Sequence, residues 1–392
     1  MGNPTMPYTE LAGLALRLDA AAVEVRCPGT LHDAARARTL SQKHGLQFQT
    51  DGADAWRVRA PAPAGACPGA LKAFFAELGG MPAPYPEVSA PVPRTAAPLV
   101  SCIVVVNHNA LFVREQLIPS LFANTRAQPF EVVLVHNGAA DSESVLAAFG
   151  GVRSPSGAVS VAYNAGATLA RGRYLAFFHD DCILDDPHWL EKCTAALERG
   201  AAAVAAEFRR LERIGGVEVP ALPVAKCVPL LIRAEEFASA GRFDEFHYLG
   251  YEDLDFTLRL AELGKRVEAV DLRTRHFDGM SSVLKYCPLP GLAALFAMSA
   301  VPRAAILRRF REFAERGLRR DGVDYLRLAL DAQLFHVLMK YREFLAGIDS
   351  SAYARAAERL AHVLERVGDP LSILARFKSL EREHEAALRA AA

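Results

Sequence analysis

The stretch "LVSCIVVV" (residues 99–106) places the strongest restriction on the fold. A strand with one wet face alternates apolar and polar residues. A strand apolar throughout is covered on both faces, which points to a parallel sheet with helices above and below it. The following residues fit that plan. A helical pattern, "LFVREQLIPSLFANT", leads to the strand "FEVVLVHNG". "GAVSVAYN" reads as a further strand, and a short helix "AGATLARG" leads to the strand "RYLAFF". Next come the helix "DPHWLEKCTAALERG", with Asp186 as N-cap and Pro187 in its first turn, and the strand "AAAVAAEF". Repeated β–α units predict an α/β domain built on an open, mostly parallel sheet. Ligands bind such sheets at the carboxyl ends of the strands.

The flanks differ in pattern. Residues 1–78 contain "AAVEVR", "LQFQT" and "AWRVRA" as strands and "LHDAARARTLSQKHG" as a helix closed by Gly45, a small α+β module. Residues 79–98 carry six prolines and read as a semi-rigid linker. The α/β domain takes up 99–288, and 289–392 is helical. There Leu326, Leu330, Leu334, Leu338 and Leu345 form one stripe of a helix that Asp321 can cap. Gly368-Asp369-Pro370 supplies a helix stop, an N-cap and a first-turn proline.

Composition narrows the function classes. Lys+Arg and Asp+Glu balance at 45 each, so no net field draws the chain to nucleic acid. The seven cysteines are scattered without a CxxC pair, which favours buried thiols in a reducing compartment over a disulfide framework. The N-terminus lacks a signal-peptide pattern, and no apolar run approaches the ~20 residues of a membrane span, so a cytoplasmic location is the default. "LPGLAALFAMSAVPRAAILRRFREFAERGLRR" joins an apolar stretch to Arg303, Arg308, Arg309 and Arg311. Such a segment can lie on an anionic membrane surface and meet a lipid-linked acceptor. A core helix with a solvated basic face, or a homodimer contact through the C-terminal helices, is the favoured reading.

The chemistry gathers where "RYLAFF" runs into His179-Asp180-Asp181. Adjacent carboxylates repel unless a cation or donors sit nearby. Carboxylate oxygens suit Mg²⁺ or Mn²⁺, with positions left for substrate phosphates. Taken alone, a polar turn that caps a strand is the better reading. A second acidic cluster, Asp244, Glu245, Glu252 and Asp253, with Asp255 close behind, exceeds what helix capping needs. His276 follows a strand-like "VEAVDL" within "RTRHFDG".

With these motifs in order, Val100–Gly279 resembles a family 2 glycosyltransferase of the GT-A (Rossmann-like) fold. "VSCIVVVNHNALFVREQLIPSLFANT" resembles the family's first strand and helix, and "FEVVLVHNGAADSES" its second strand. "NAGATLARGRYLAFFHDD" resembles the approach to its DxD-type metal motif, and "GRFDEFHYLGYEDLDFTLRLAELG" its ED motif. The resemblance implies an inverting, divalent-metal-dependent transfer of a hexosyl or deoxyhexosyl group. The donor would be a UDP-, dTDP- or GDP-sugar, and the acceptor a glycan, a lipid-linked glycan or a protein. By resemblance, Asp181 and His276 hold Mn²⁺ or Mg²⁺, and Asp253 is the general base with Glu252 beside it. Asn107, Asn109, Asn137 and Asp141 fall around the nucleoside, and Asn164, Arg171, His179 and Asp180 on the donor side. Two positions depart from the family pattern: His179 replaces the first acid of DxD, and His136 replaces an aspartate at the end of the second strand. Both bear on donor choice. The rival readings are a GT-A scaffold without turnover and, less well supported, a nucleotidyltransferase. The latter lacks the glycine-rich phosphate loop after the first strand.

Overall fold

A computed structural model of the chain describes residues 15–18, 22–28, 34–50, 55–61, 69–78, 97–125, 128–138, 142–277, 279–286 and 318–391. Asp141, most of the proline-rich stretch and the segment with Arg303, Arg308, Arg309 and Arg311 lie outside the described residues. Four N-terminal strands, β1 Ala15–Leu18, β2 Ala22–Pro28, β3 Gln47–Thr50 and β4 Ala55–Pro61, form an antiparallel sheet in the order β1-β2-β4-β3. Helices α1 Ala34–Lys43 and α2 Gly69–Leu78 belong to the same module. Trp56 meets Phe74 edge-on at 6.1 Å. The apolar cluster they share runs on through Phe112, Ile183, Met280 and Phe377, so the module is packed onto the rest of the chain.

The central sheet has seven strands: β5 Val100–Val106, β6 Phe130–His136, β7 Val152–Arg153, β8 Tyr174–His179, β10 Ala203–Ala205, β13 Leu230–Arg233 and β14 Val267–Ala269. Their order is β14-β10-β13-β8-β5-β6-β7, and β13 alone among them runs antiparallel to its neighbours. Every residue of β5 is buried. Cys102, Val104 and Val106 enter one apolar cluster, while Ile103 and Val105 enter another. That division is the two-sided burial an uninterrupted apolar strand requires.

The helices cover both faces. The first, α3, starts at Ala110–Phe112, passes through a π-helical stretch at Val113–Leu117 and continues as Ile118–Thr125. Pro119 has no N–H to continue the α ladder, and the wider turn lies directly before it. Helix α4 spans Val159–Leu169, so it includes the start of the expected helix "AGATLARG" and also residues 159–164, where alternation predicts a strand. Its buried face decides the matter. Ser160 and Asn164, one turn apart, bond to a distant loop, and a Cβ on Gly166 would stand 2.5 Å from Ile103 Cγ2. Helix α5 spans Trp189–Glu198, two residues later than its expected cap. Asp186 instead accepts from the His188 N–H (3.0 Å) and Lys192 Nζ (2.7 Å). Helices α6 Ala234–Ser239, α7 Glu252–Glu262 and α8 Met280–Tyr286 complete the domain.

Among the described residues three long helices follow, α9 Tyr325–Lys340, α10 Arg342–Glu365 and α11 Pro370–Ala391. Asp324 caps α9 by accepting from the Arg327 N–H (3.0 Å), so Asp321 does not; it lies at φ 54° in the preceding tight turn. Of the leucine stripe, Leu334, Leu338 and Leu345 are buried, against Leu254 and Leu258 of α7 and a hairpin of β11 Phe208–Ile214 with β12 Val217–Ala225. Leu326 and Leu330 are only partly covered. Gly368-Asp369-Pro370 joins α10 to α11 as the spacing predicts, with Asp369 accepting from the N–H groups of Leu371 and Ser372.

Charge fastens these helices to the α/β domain. Lys340 Nζ lies 2.6 Å from Asp244 and 2.7 Å from Asp255, and Asp255 also pairs with Arg259. His336 lies 3.2 Å from Asp244, and His247 3.7 Å from Asp255. The His336 hydrogen bond leads in holding the Asp244 carboxyl far below its usual range. Burial opposes ionisation of Asp255, but His247, Arg259 and Lys340 together outweigh it and hold its pKa down. Both folded-state values are depressed, so this stabilisation is full above the ordinary carboxylate pKa of ~4 and is lost as pH falls below it. Lys340→Met, which leaves Asp255 with fewer donors in a buried site, is expected to cost roughly 1–3 kcal/mol at pH 7. Denaturant unfolding at pH 7 and pH 3.5 checks this: the difference between variant and parent shrinks at the lower pH.

Candidate active site

The carboxyl end of β8 is where the chain must place two acids side by side. His179 ends the strand, its N–H donating to Cys227 O (2.7 Å). Asp180 and Asp181 then turn the chain into β9 Cys182–Leu184, which pairs antiparallel with β15 Thr274–His276. The register sets His276 opposite Cys182. Arg275 forks onto Asp185 (Nη2–Oδ1 2.9 Å), and the Phe277 N–H donates to Asp181 O (2.8 Å). A late histidine is thereby brought to an early aspartate.

The two carboxylates part company. Asp180 turns into the protein, accepting from the Asn107 N–H (2.8 Å) and the Ser281 hydroxyl, while Asn109 Nδ2 donates to its carbonyl (2.8 Å). Burial, then the charge of Asp181, pushes the Asp180 pKa up. Asp181 accepts from the Met280 N–H (3.2 Å) and lies 3.4 Å from His276 Nε2. Burial resists its ionisation, but the hydrogen bond and charge of His276 prevail and hold its pKa down. The other ring nitrogen of His276 is 2.9 Å from Glu207 Oε2. His276 is raised to about 9, because its bonds to Asp181 and Glu207 outweigh the burial that opposes its charge. His179 Nδ1 stands 3.3 Å from His276 Nε2, and burial, then the nearby His276, lowers its pKa to about 4. Ligand atoms of His179, Asp181 and His276 lie within 4.8 Å of one another. Two imidazoles and a carboxylate, with a second carboxylate orienting one ring, are a donor set that fits a divalent cation.

The second acidic pair opens α7. Tyr251, just before it, has φ 67°, a left-handed conformation costly for a bulky residue and often found at functional sites. Asp253 Oδ2 is 2.6 Å from Lys226 Nζ. Burial favours the neutral acid, yet the Lys226 charge and hydrogen bond lower its pKa. Glu252 Oε2 is buried with no hydrogen-bond partner, and burial, then the charge of Asp253, raises Glu252. The pair is thereby split, with Lys226 favouring the ionised form of Asp253 and burial favouring the neutral form of Glu252. Lys226 immediately precedes Cys227, whose carbonyl holds His179, and the charges of Asp253 and His179 act on each other. The two acidic clusters share one end of the sheet.

Of the other residues singled out in the sequence, Asn107 and Asn137 bond to each other here (2.8 Å), and Asn137 Nδ2 also donates to Gly157 O (3.1 Å). Asn164 does not join them. It clasps Phe243, donating to its carbonyl (3.0 Å) and accepting from its N–H (3.1 Å), which anchors the loop before α7. Arg171 precedes β8, at the opposite end of that strand from His179, and binds Glu131 through N (2.7 Å), Nε (3.0 Å) and Nη2 (2.6 Å). His136 is buried with Nδ1 3.1 Å from Ser142 Oγ. Asp255 points into the Lys340 cluster and away from this site.

Sequence reasoning passed over Glu207, Lys226 and Gln333. Glu207 and Lys226 follow the ends of β10 and β12, and strand ends were the available signal. Gln333 carries none. Its Oε1 accepts from the N–H groups of Tyr248 (2.6 Å) and Leu249 (3.0 Å), while Tyr248 donates its hydroxyl to Glu381 Oε2 (2.7 Å).

Residues 102–224 match the family model described as glycosyl transferase family 2. That match covers β5 to β12 and leaves the flanking regions outside it. No curated protein gives a significant match. Among solved structures it is similar to the mannosyltransferase PcManGT from Pyrobaculum calidifontis in complex with GDP-Man and Mn²⁺, at 16% identity and a TM-score of 0.38, covering 83% of this chain and 97% of that one. It is also similar to GalNAc-T7 with UDP, GalNAc and Mn²⁺, at 13% identity and a TM-score of 0.37, covering 48% of this chain and 47% of that one. A third likeness is to the catalytic domain of Drosophila beta1,4galactosyltransferase 7 in complex with xylobiose, at 13% identity and a TM-score of 0.30, covering 44% of this chain and 66% of that one. No helix among the described residues is long and apolar enough to cross a membrane.

Gln333→Leu removes the acceptor from two backbone N–H groups of the loop that delivers Glu252 and Asp253. The expected cost is about 1–3 kcal/mol for each buried donor left unpaired. Hydrogen exchange should show the amides of Tyr248 and Leu249 opening well before those of β5.

Proposed function

We propose that this chain is an inverting, divalent-metal-dependent glycosyltransferase that moves a hexosyl or deoxyhexosyl group from a nucleotide-sugar to an acceptor hydroxyl. The observation that carries the reading is the placement of two separated acid pairs at one end of the sheet, with Asp181 beside His276 and Asp253 beside Lys226. Asp181 and His276 are the residues that would hold the ion, and the family match over 102–224 covers Asp181 but neither His276 nor Asp253. When bound, the ion supplies Lewis-acid stabilisation to the departing diphosphate.

The chain's own groups do the rest. Lys226 keeps Asp253 ionised and aimed. The acceptor hydroxyl gives its proton to Asp253 while its oxygen bonds to the anomeric carbon. The bond from that carbon to the diphosphate breaks, and its electron pair leaves with the diphosphate. Glu252, uncharged at neutral pH, leaves Asp253 as the base of the pair. Asn107, Asn109 and Asn137 shape the floor beside Asp180, on the side assigned to the nucleotide. The loop tied by Asn164, Gln333 and Glu381 forms the acceptor side, which suits a glycan, lipid-linked or protein hydroxyl.

Nucleotide release from a panel of UDP-, dTDP- and GDP-sugars, with Mn²⁺ and with EDTA, tests the assignment against a binding scaffold. Absence of metal-dependent turnover with an acceptor library sinks the enzyme reading. Asp181→Ala is expected to lose the metal-dependent rise in melting temperature caused by donor. Asp253→Asn is expected to keep that rise and lose about 10²–10⁴-fold in kcat. Lys226→Met removes the cation that lowers the Asp253 pKa, so the acid limb of the kcat/KM profile should move to higher pH. An unmoved limb would leave Asp253 without the proposed role.

A further inference from the structure

We propose that His179 is a third protein ligand to the divalent ion, and that it makes the site select ions that accept imidazole nitrogen, such as Mn²⁺ and Co²⁺, over Mg²⁺. The inference rests on the metal-dependent reading above and concerns the position where this chain departs from an acidic motif. Three observations carry it. The His179 side chain sits in the cluster itself, Nδ1 3.3 Å from His276 Nε2, which is in turn 3.4 Å from Asp181 Oδ1. Adjacent ligands on an ion with bonds near 2.1 Å stand about 3 Å apart, so these separations need little adjustment. The neighbouring carboxylate is turned away from the cluster: Asp180 accepts from the Asn107 N–H and the Ser281 hydroxyl, and its oxygens are not among the ligand atoms gathered with His179, Asp181 and His276. The His276 ring is also held by Glu207, and the backbone that carries His179 is held by the Cys227 carbonyl.

The protein then offers two nitrogens and one carboxylate, leaving open positions for diphosphate oxygens and water. Mg²⁺ favours an all-oxygen shell and gives up water reluctantly, whereas imidazole binds the later divalent ions more strongly.

The test uses the full-length chain stripped of metal with EDTA. Calorimetric titrations with MnCl₂ and MgCl₂, without donor, are expected to show Mn²⁺ bound at least tenfold more tightly. His179→Asp should narrow that ratio at least tenfold. Pulsed EPR of the Mn²⁺-loaded chain should show nitrogen couplings from two imidazoles, reduced to one in His179→Asp. If the variant does not fold, ¹⁵N-histidine labelling of the parent chain still counts the coordinated rings. Coupling from a single imidazole, or Mg²⁺ bound as tightly as Mn²⁺, overturns the proposal while leaving the metal-dependent reading intact. Failure of every divalent ion to bind the parent chain overturns both.

Discussion

Two carboxylates that follow one another at the buried end of a strand cannot both be ionised without help, and the site is built around that repulsion. The chain resolves it by direction. Asp180 turns inward to the Asn107 N–H and Ser281, and Asp181 turns to His276. The same problem arises at Glu252 and Asp253, where Lys226 pairs with the second acid while burial pushes the first toward its neutral form. In each pair a cation or imidazole holds one pKa down while burial and the neighbouring charge push the other up.

The α/β sheet was legible because β5 is apolar at every position, and such a strand has few alternatives. The order of acids and histidine was legible for a different reason: such motifs are read along the chain at element ends, Asp181 and His276 at strand ends and Asp253 in the first turn of α7. The failures share a cause. "VSVAYN" alternates like a strand, but α4 is set by Phe243 and His247, contacts no local pattern announces. Arg171 follows a donor-side motif in sequence, yet it sits before β8 begins, so the length of the strand carries it to the far end of the sheet. Asp324 takes the cap expected of Asp321 because the intervening tight turn bends the chain before the helix starts. Gln333 and Glu381 were invisible for the plainest reason: their partners lie in a loop far away in sequence.

The N-terminal module and the C-terminal helices are joined to this site by packing as well as by charge. The cluster holding Trp56 and Phe74 continues through Met280, whose N–H bonds Asp181. The module's core is therefore in direct contact with the start of α8, the helix whose first N–H holds Asp181.

The loop ahead of α7 has a history as well as a shape. Its anchors at Gln333, Lys340 and Glu381 belong to α9 and α11, whereas the sheet it overlies is complete in sequence by β14. During synthesis the sheet can form while those helices are still inside the ribosome. The strands β9 and β15 can thus pair while the loop ahead of α7 still lacks its anchors. Under the proposed function, the acceptor side is tied down only by the last helices to be made.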